Sequence, residues 1–245
     1  MRRIVGELRK LALSSSRSTV RRVLVDEGLL PDPGKRVPSG SLTPWRIFID
    51  MHLNTMVARD MFCKTVWTPV GERVAYVLMF IHLGSRRVFV SPSTCHPVES
   101  WMKVQARNVL MWLDDEELNL QFIIHDNDAK ISAGFDAVFK GADADIVKTP
   151  FLSPIANAFA ESWIGTLKRE CLNQFYCFGL RHLDHIVQTY TSYYNTFRSH
   201  QSLGNVPIGQ GSRPPPDGVA NRDVGPVRQH AYLGGSLNHC EWKAA

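Results

Sequence analysis

Residues 61–90, MFCKTVWTPVGERVAYVLMFIHLGSRRVFV, hold three runs rich in β-branched and aromatic residues: 61–66, 74–83 and 87–90. The breaks between them, Pro69-Val70-Gly71-Glu72 and Gly84-Ser85, are short turn formers, which suits antiparallel hairpins. Upstream, residues 45–58 read as a helix. Downstream, a helix over 98–113 ends at the acidic run 114–117, and the apolar run 120–124 suits a buried strand. A short helix over 135–139, a brief strand over 146–148 and two long helices over 153–174 and 183–196 complete the pattern. Hairpin strands followed by alternating helix and strand predict an α/β fold, a mixed sheet covered by helices.

The rest of the chain narrows the class. Its 245 residues are enough for a sizeable core, with 44% hydrophobic and 21% charged residues. No stretch approaches the roughly 20 apolar residues of a membrane-spanning helix, and the N-terminal Arg2-Arg3 is followed by no apolar run of a secretory signal. Five cysteines (63, 95, 171, 177 and 240) with no C-x-x-C pair argue against a disulfide framework and a zinc ribbon, and favour a reducing compartment.

Charge is distributed unevenly. Residues 1–40 carry nine Lys/Arg against four Asp/Glu, whereas the remaining 205 residues carry 19 of each, so the whole net charge of +5 sits at the N-terminus. That is the pattern of a polyanion-binding module joined to a balanced domain, or of a solvated basic arm. Ile4, Leu8 and Leu11 share one helical face; Ser14-Ser15-Ser16 offers N-caps; and Val20, Val23, Leu24 and Glu27 mark a second helix, with Gly28 at its C-cap. Arg17, Ser18, Arg21 and Arg22 occupy its other face. The pair reads as a helix-turn-helix or as an ordinary helical hairpin. The domain boundaries expected are a partial helix-turn-helix segment at 1–30, a Pro/Gly-rich linker at 31–44, a core at 45–205 and an irregular tail at 206–245.

Carboxylates dominate the candidate chemistry. Asp60 is expected just before the first strand, Asp126 just past the end of the run 120–124, and Glu161 inside the helix that starts near Ser153-Pro154. Strand ends are where open α/β sheets bind ligands. Three converging carboxylates repel one another unless cations bind them, and an all-oxygen site suits Mg²⁺ or Mn²⁺. Each acid taken alone also has an ordinary reading: a helix end, an Asx-turn, a solvated helix face. Asp50 and Asp128 are rival acids. Asp126-Asn127-Asp128 opens like an EF-hand loop, but Ile131 and Ala137 stand where its glycine and glutamate belong, which excludes it. Cys171, Cys177, His182 and His185 fit no standard zinc spacing.

These residues also carry a resemblance. Asp60-Met61-Phe62, Ile124-His125-Asp126-Asn127-Asp128, Asn157-Ala158-Phe159-Ala160-Glu161-Ser162 and Thr166-Leu167-Lys168-Arg169-Glu170 resemble the catalytic core of DDE-type insertion-sequence transposases and retroviral-type integrases. The 34 residues between Asp126 and Glu161 are close to the family spacing. Tyr194-Asn195-Thr196-Phe197-Arg198-Ser199-His200-Gln201-Ser202-Leu203 resembles the motif that closes this core, and residues 2–24 resemble the preceding helix-turn-helix.

The resemblance implies a ribonuclease H-like fold, with Asp60, Asp126 and Glu161 as catalytic residues and ligands of two Mg²⁺ (or Mn²⁺) ions. It implies donor-end cleavage and strand transfer, with element ends and target DNA as partners of a homo-oligomer that has no membrane association. Lys168, two turns beyond Glu161 on the same helix face, would meet phosphates together with Arg169, and Arg17, Arg21 and Arg22 would bind DNA. Lys168 also reads as a solvated lysine, and Arg198 and His200 either contact DNA or cap the last helix. A nuclease of the same fold without strand transfer and a non-catalytic DNA-binding relic are the alternatives. The expected location is cytoplasmic and nucleoid-associated in a prokaryote. Met1 falls inside the helix-turn-helix stretch, so an N-terminally shortened transposase with poor recognition of element ends is also expected.

Overall fold

The computed structural model describes residues 2–11, 13, 15–27, 44–125, 133–148, 158–203, 205–208 and 227–242. Its helices are α1 (Arg2–Lys10), α2 (Arg17–Asp26), α3 (Pro44–His52), α4 (Glu99–Asp115), α5 (Ala133–Lys140), α6 (Ala158–Glu170) and α7 (Gly179–Thr196). Its strands are β1 (Met56–Thr68), β2 (Gly71–His82), β3 (Val88–Val90), β4 (Phe122–His125), β5 (Asp145–Lys148), β6 (Cys177–Phe178), β7 (Val227–Tyr232) and β8 (Leu237–Trp242). The chain divides into two compact units, 42–192 and the terminal segments 1–41 with 193–245. The expected linker around 31–40, Gly28, Asp126, Asp128 and Asn157 lie outside the described residues.

The unit 42–192 is a mixed sheet in the order β3-β2-β1-β4-β5, with β6 beside the far end of β1. β1, β2 and β3 are antiparallel neighbours, while β4 and β5 run parallel to β1. Three antiparallel strands extended by parallel ones on the side of the first, with helices flanking the sheet, is the ribonuclease H-like arrangement. Pro69 and Gly71 (φ +103°) turn β1 into β2. One sheet face carries Val57, Leu78, Phe80 and Ile123, buried beneath Met102, Ala106, Val109 and Leu113 of α4 and Phe135 and Phe139 of α5. The other face carries Phe62, whose ring lies 6.3 Å from that of Trp163 on α6, which in turn meets Tyr190 of α7. With helices on both faces, β2 needs apolar residues on both sides, and Val77 through Ile81 are all buried.

The helix expected over 45–58 stops at His52 and passes through a short 3₁₀ turn, Leu53–Thr55, into β1. Asn54 and Thr55 are weak helix formers, and Met56, Val57 and Ala58 are buried by pairing between β2 and β4, which outweighs their helix propensity. Asp60 therefore lies inside β1, opposite Met79, and not before the strand.

In the terminal unit, α1 contacts α2, β8 and the 3₁₀ turn Gln201–Leu203. Of the three candidate caps, Ser16 caps α2: its Oγ accepts the Thr19 N–H at 3.1 Å. Among the described residues of the two helices, Val5, Gly6 and Val20 are buried, whereas Ile4 is 39% and Val23 52% exposed, so the buried stripes are narrower and rotated from those expected. Gly6 approaches Ser199 closely: an added Cβ would fall 2.5 Å from Ser199 Cβ. The tail expected to be irregular contains the antiparallel hairpin β7–β8. Its turn takes Gly234 and Gly235 at φ +66° and +90°, a conformation open to glycine. Polar strands such as VRQHAY give little apolar alternation for a sequence reading to detect.

Candidate active site

Strand parity sorts the residues of β1. Val57, Arg59 and Met61 share one face; the Arg59 guanidinium, 1% exposed, lies 5.6 Å from the Phe135 ring. Asp60 has the parity of Ala58, Phe62 and Lys64, the face that α6 covers. Its carboxylate is half-buried, and Oδ1 accepts the Met61 N–H at 2.7 Å.

α6 runs alongside β1 in the same direction. At its start, the Arg86 guanidinium from the β2–β3 turn lies 4.0 Å from the centre of the Phe159 ring. In its middle, Trp163 meets Phe62, and just beyond its end the Leu172 carbonyl accepts a hydrogen bond from Lys64 Nζ at 3.0 Å. Ala160, Trp163, Ile164 and Leu167 are buried at i, i+3, i+4, i+7 spacing. Glu161 and Lys168 flank that stripe about 20° apart around the axis, at roughly 100° per residue. Glu161 is exposed and Lys168 half-buried. Glu161 thus lies on α6 between Phe159, which meets Arg86, and Trp163, which meets Phe62 of β1.

β4 ends at His125, and Asp126 lies outside the described residues. His125 has the opposite parity from Ile124: it is buried, its Nε2 is 3.1 Å from Asp136 Oδ1, and its ring meets Phe135 edge-on. Among the described residues, Asp60 and Glu161 belong to no group of three metal-ligating side chains. The two present hard oxygen donors only, which fits Mg²⁺ or Mn²⁺ and not a soft ion.

The remaining candidates separate clearly. Arg17, Arg21, Arg22 and Arg169 are exposed. His200 is buried, and its Nε2 lies 3.2 Å from the Tyr194 carbonyl, while the Arg198 guanidinium lies 5.4 Å from the centre of the Tyr194 ring. The closing motif therefore finishes α7. Cys171 and Cys177 are buried; burial first, then Cys177 and Glu170, pushes the Cys171 thiol up to about 12. Burial raises Cys177 as well. His182 Nδ1 accepts the Phe178 N–H, and His185 is exposed, so these four form no metal-ligating group among the described residues. Arg86 escaped the sequence reading, because a contact spanning so many residues leaves no local signal.

Residues 145–207 match the integrase core domain family. The matched segment includes Glu161, Lys168, Arg169 and residues 194–203. Among curated proteins no match was found. Among solved structures, a chain of the simian T-cell lymphotropic virus intasome in complex with PP2A regulatory subunit B56 gamma is similar. It shares 14% identity at a TM-score of 0.49, with 78% of this chain and 67% of that one covered. The HTLV-2 integrase catalytic core domain in complex with magnesium, in its trimeric form, shares 12% identity at a TM-score of 0.46. That match covers 63% of this chain and 93% of that one.

Proposed function

We propose that this chain is a DDE-type DNA transposase or integrase in which Asp60, Asp126 and Glu161 hold two divalent metal ions. The observation that carries the reading is the register of β1 with β4. Met56, Val57 and Ala58 pair with Phe122, Ile123 and Ile124 at a constant offset of 66, and the same offset relates Asp60 to position 126. β1 and β4 run parallel, with neighbours about 4.8 Å apart, and Asp60 follows the last pair, Ala58 with Ile124, by two residues on the face that α6 covers. Glu161 comes to the same stretch from α6. Bound there, Mg²⁺ or Mn²⁺ would activate water or a 3′-hydroxyl and stabilise the leaving oxygen of a phosphodiester.

The chain's own residues do the rest. Three carboxylates supply the negative field that binds the ions, and Oδ1 of Asp60 accepts the Met61 N–H. Lys168 and Arg169 draw the DNA backbone toward Glu161, while Arg17, Arg21 and Arg22 grip DNA from α2. Hydrolysis at an element end leaves a 3′-hydroxyl, whose oxygen then attacks a target phosphodiester and expels the target's own 3′-oxygen. Synapsis of two ends calls for a homo-oligomer on DNA.

The test is joining of a labelled element-end oligonucleotide to plasmid in Mg²⁺ and in Mn²⁺, by the wild-type chain and by Asp126→Asn. Joining by the wild type alone supports the reading. Cleavage without joining makes the protein a nuclease of the same fold. Neither activity in either metal, or joining by the variant at the wild-type rate, overturns it.

A further inference from the structure

The hairpin β7–β8 gathers three metal-ligating side chains on one face. His230 and His239 are register partners, and Glu241 follows His239 by two residues. Their ligand atoms lie within 4.8 Å of one another, and no other such group occurs among the described residues. His230 Nε2 is 2.7 Å from Glu241 Oε1, and His239 Nε2 is 3.9 Å from Oε2. In a tetrahedral zinc site with bonds of about 2.0–2.1 Å, ligand atoms lie about 3.3 Å apart, between these two separations.

His239 points independently to a ligand. It is only 5% exposed, enclosed by the Phe197 ring stacked at 4.0 Å and the His230 ring at 4.7 Å. Its Nδ1 is buried without a hydrogen-bond partner among the described residues, and its Nε2 is too far from Glu241 for a hydrogen bond. A buried ring nitrogen without a hydrogen-bond partner is costly, and coordination of a cation by His239 together with His230 and Glu241 is an interaction that the protein groups alone do not supply. Lys10 Nζ lies 2.8 Å from Glu7 Oε1 and also bonds the Phe197 carbonyl.

We propose that His230, His239 and Glu241 form a zinc-binding site that staples the C-terminal hairpin. The two nitrogens and one carboxylate oxygen suit Zn²⁺, with water completing the tetrahedron. The donor set differs from the all-oxygen set proposed on the sheet, so the two sites select different ions and this one stands or falls by itself.

The test uses the full chain. Zn²⁺ is titrated in competition with a chromophoric chelator, and Co²⁺ is added separately to read the visible absorption of tetrahedral coordination. His230→Ala and Glu241→Gln alter the two more exposed ligands, and far-UV circular dichroism checks that each variant is folded. The expected result is one Zn²⁺ per chain, a tetrahedral Co²⁺ spectrum, and at least about tenfold weaker binding in each variant. Wild-type binding that both variants retain, or an octahedral Co²⁺ spectrum, overturns the proposal. If the variants fail to fold, the wild-type chain still decides: lack of competition by Zn²⁺ against the chelator rejects the site.

Discussion

Asp60 shows how much one residue's role depends on parity. Its neighbour Arg59 is buried on the α4–α5 face, whereas Asp60 is half-exposed on the α6 face; a one-residue slip of β1 would exchange them. The acids were legible in the sequence as residue types at a family spacing. Their placement was not, because the apolar residues before Asp60 suit a helix as well as a strand until β2 and β4 pair with them. The arginines of α2 are simpler. Arg21 and Arg22 are exposed within the only net-basic segment of the chain. Arg21→Ala with Arg22→Ala should weaken DNA binding and lower the log–log salt slope by roughly one per lost phosphate contact, with little change in stability. A salt titration of binding by fluorescence anisotropy checks this, and an unchanged slope would leave both arginines as solvated charge.

At the scale of elements, α6 ties the proposed site to the core. Its apolar spacing made the helix legible, but the partners of that face were not, since Phe62 and Tyr190 lie far away in sequence. Trp163 is 2% exposed between them. Trp163→Ala should cost about 3–5 kcal/mol of stability, measured by urea unfolding. It should also reduce joining more than stability alone explains, because Glu161 is carried on the same helix. Wild-type joining by folded Trp163→Ala would separate α6 packing from the chemistry. The hairpin β7–β8 was not legible at all: its polar strands lack an apolar stripe, and its aromatic and histidine contacts reach residues remote in sequence.

For the whole molecule, buried histidines set an acid limit on stability. His82 is 4% exposed; Ser85 N–H donates to its Nδ1 at 3.1 Å, which makes Nε2 the donor to the Asn54 carbonyl. Burial lowers its pKa, more than offsetting the opposing pull of the Asn54 and Asn119 backbone. His239 shifts the same way. Because both bind a proton more readily when unfolded, their contribution is full above the unfolded value near 6.5 and is lost as pH falls through the lower folded values. The melting temperature should therefore fall below pH 6.5, and His82→Gln should flatten part of that fall. An equally steep fall in the variant would remove His82 from the account.

The central claim is that Asp60, Asp126 and Glu161 make one cation site, and Mn²⁺ binding tests it most directly. Free Mn²⁺ is followed by electron paramagnetic resonance in a His230→Ala background, which removes one of the three hairpin ligands and weakens that site. The expected result is binding that Asp60→Asn, Asp126→Asn and Glu161→Gln each weaken by about tenfold or more, the equivalent of about 1.4 kcal/mol. Binding that survives any one of the three substitutions at full strength would contradict a shared site.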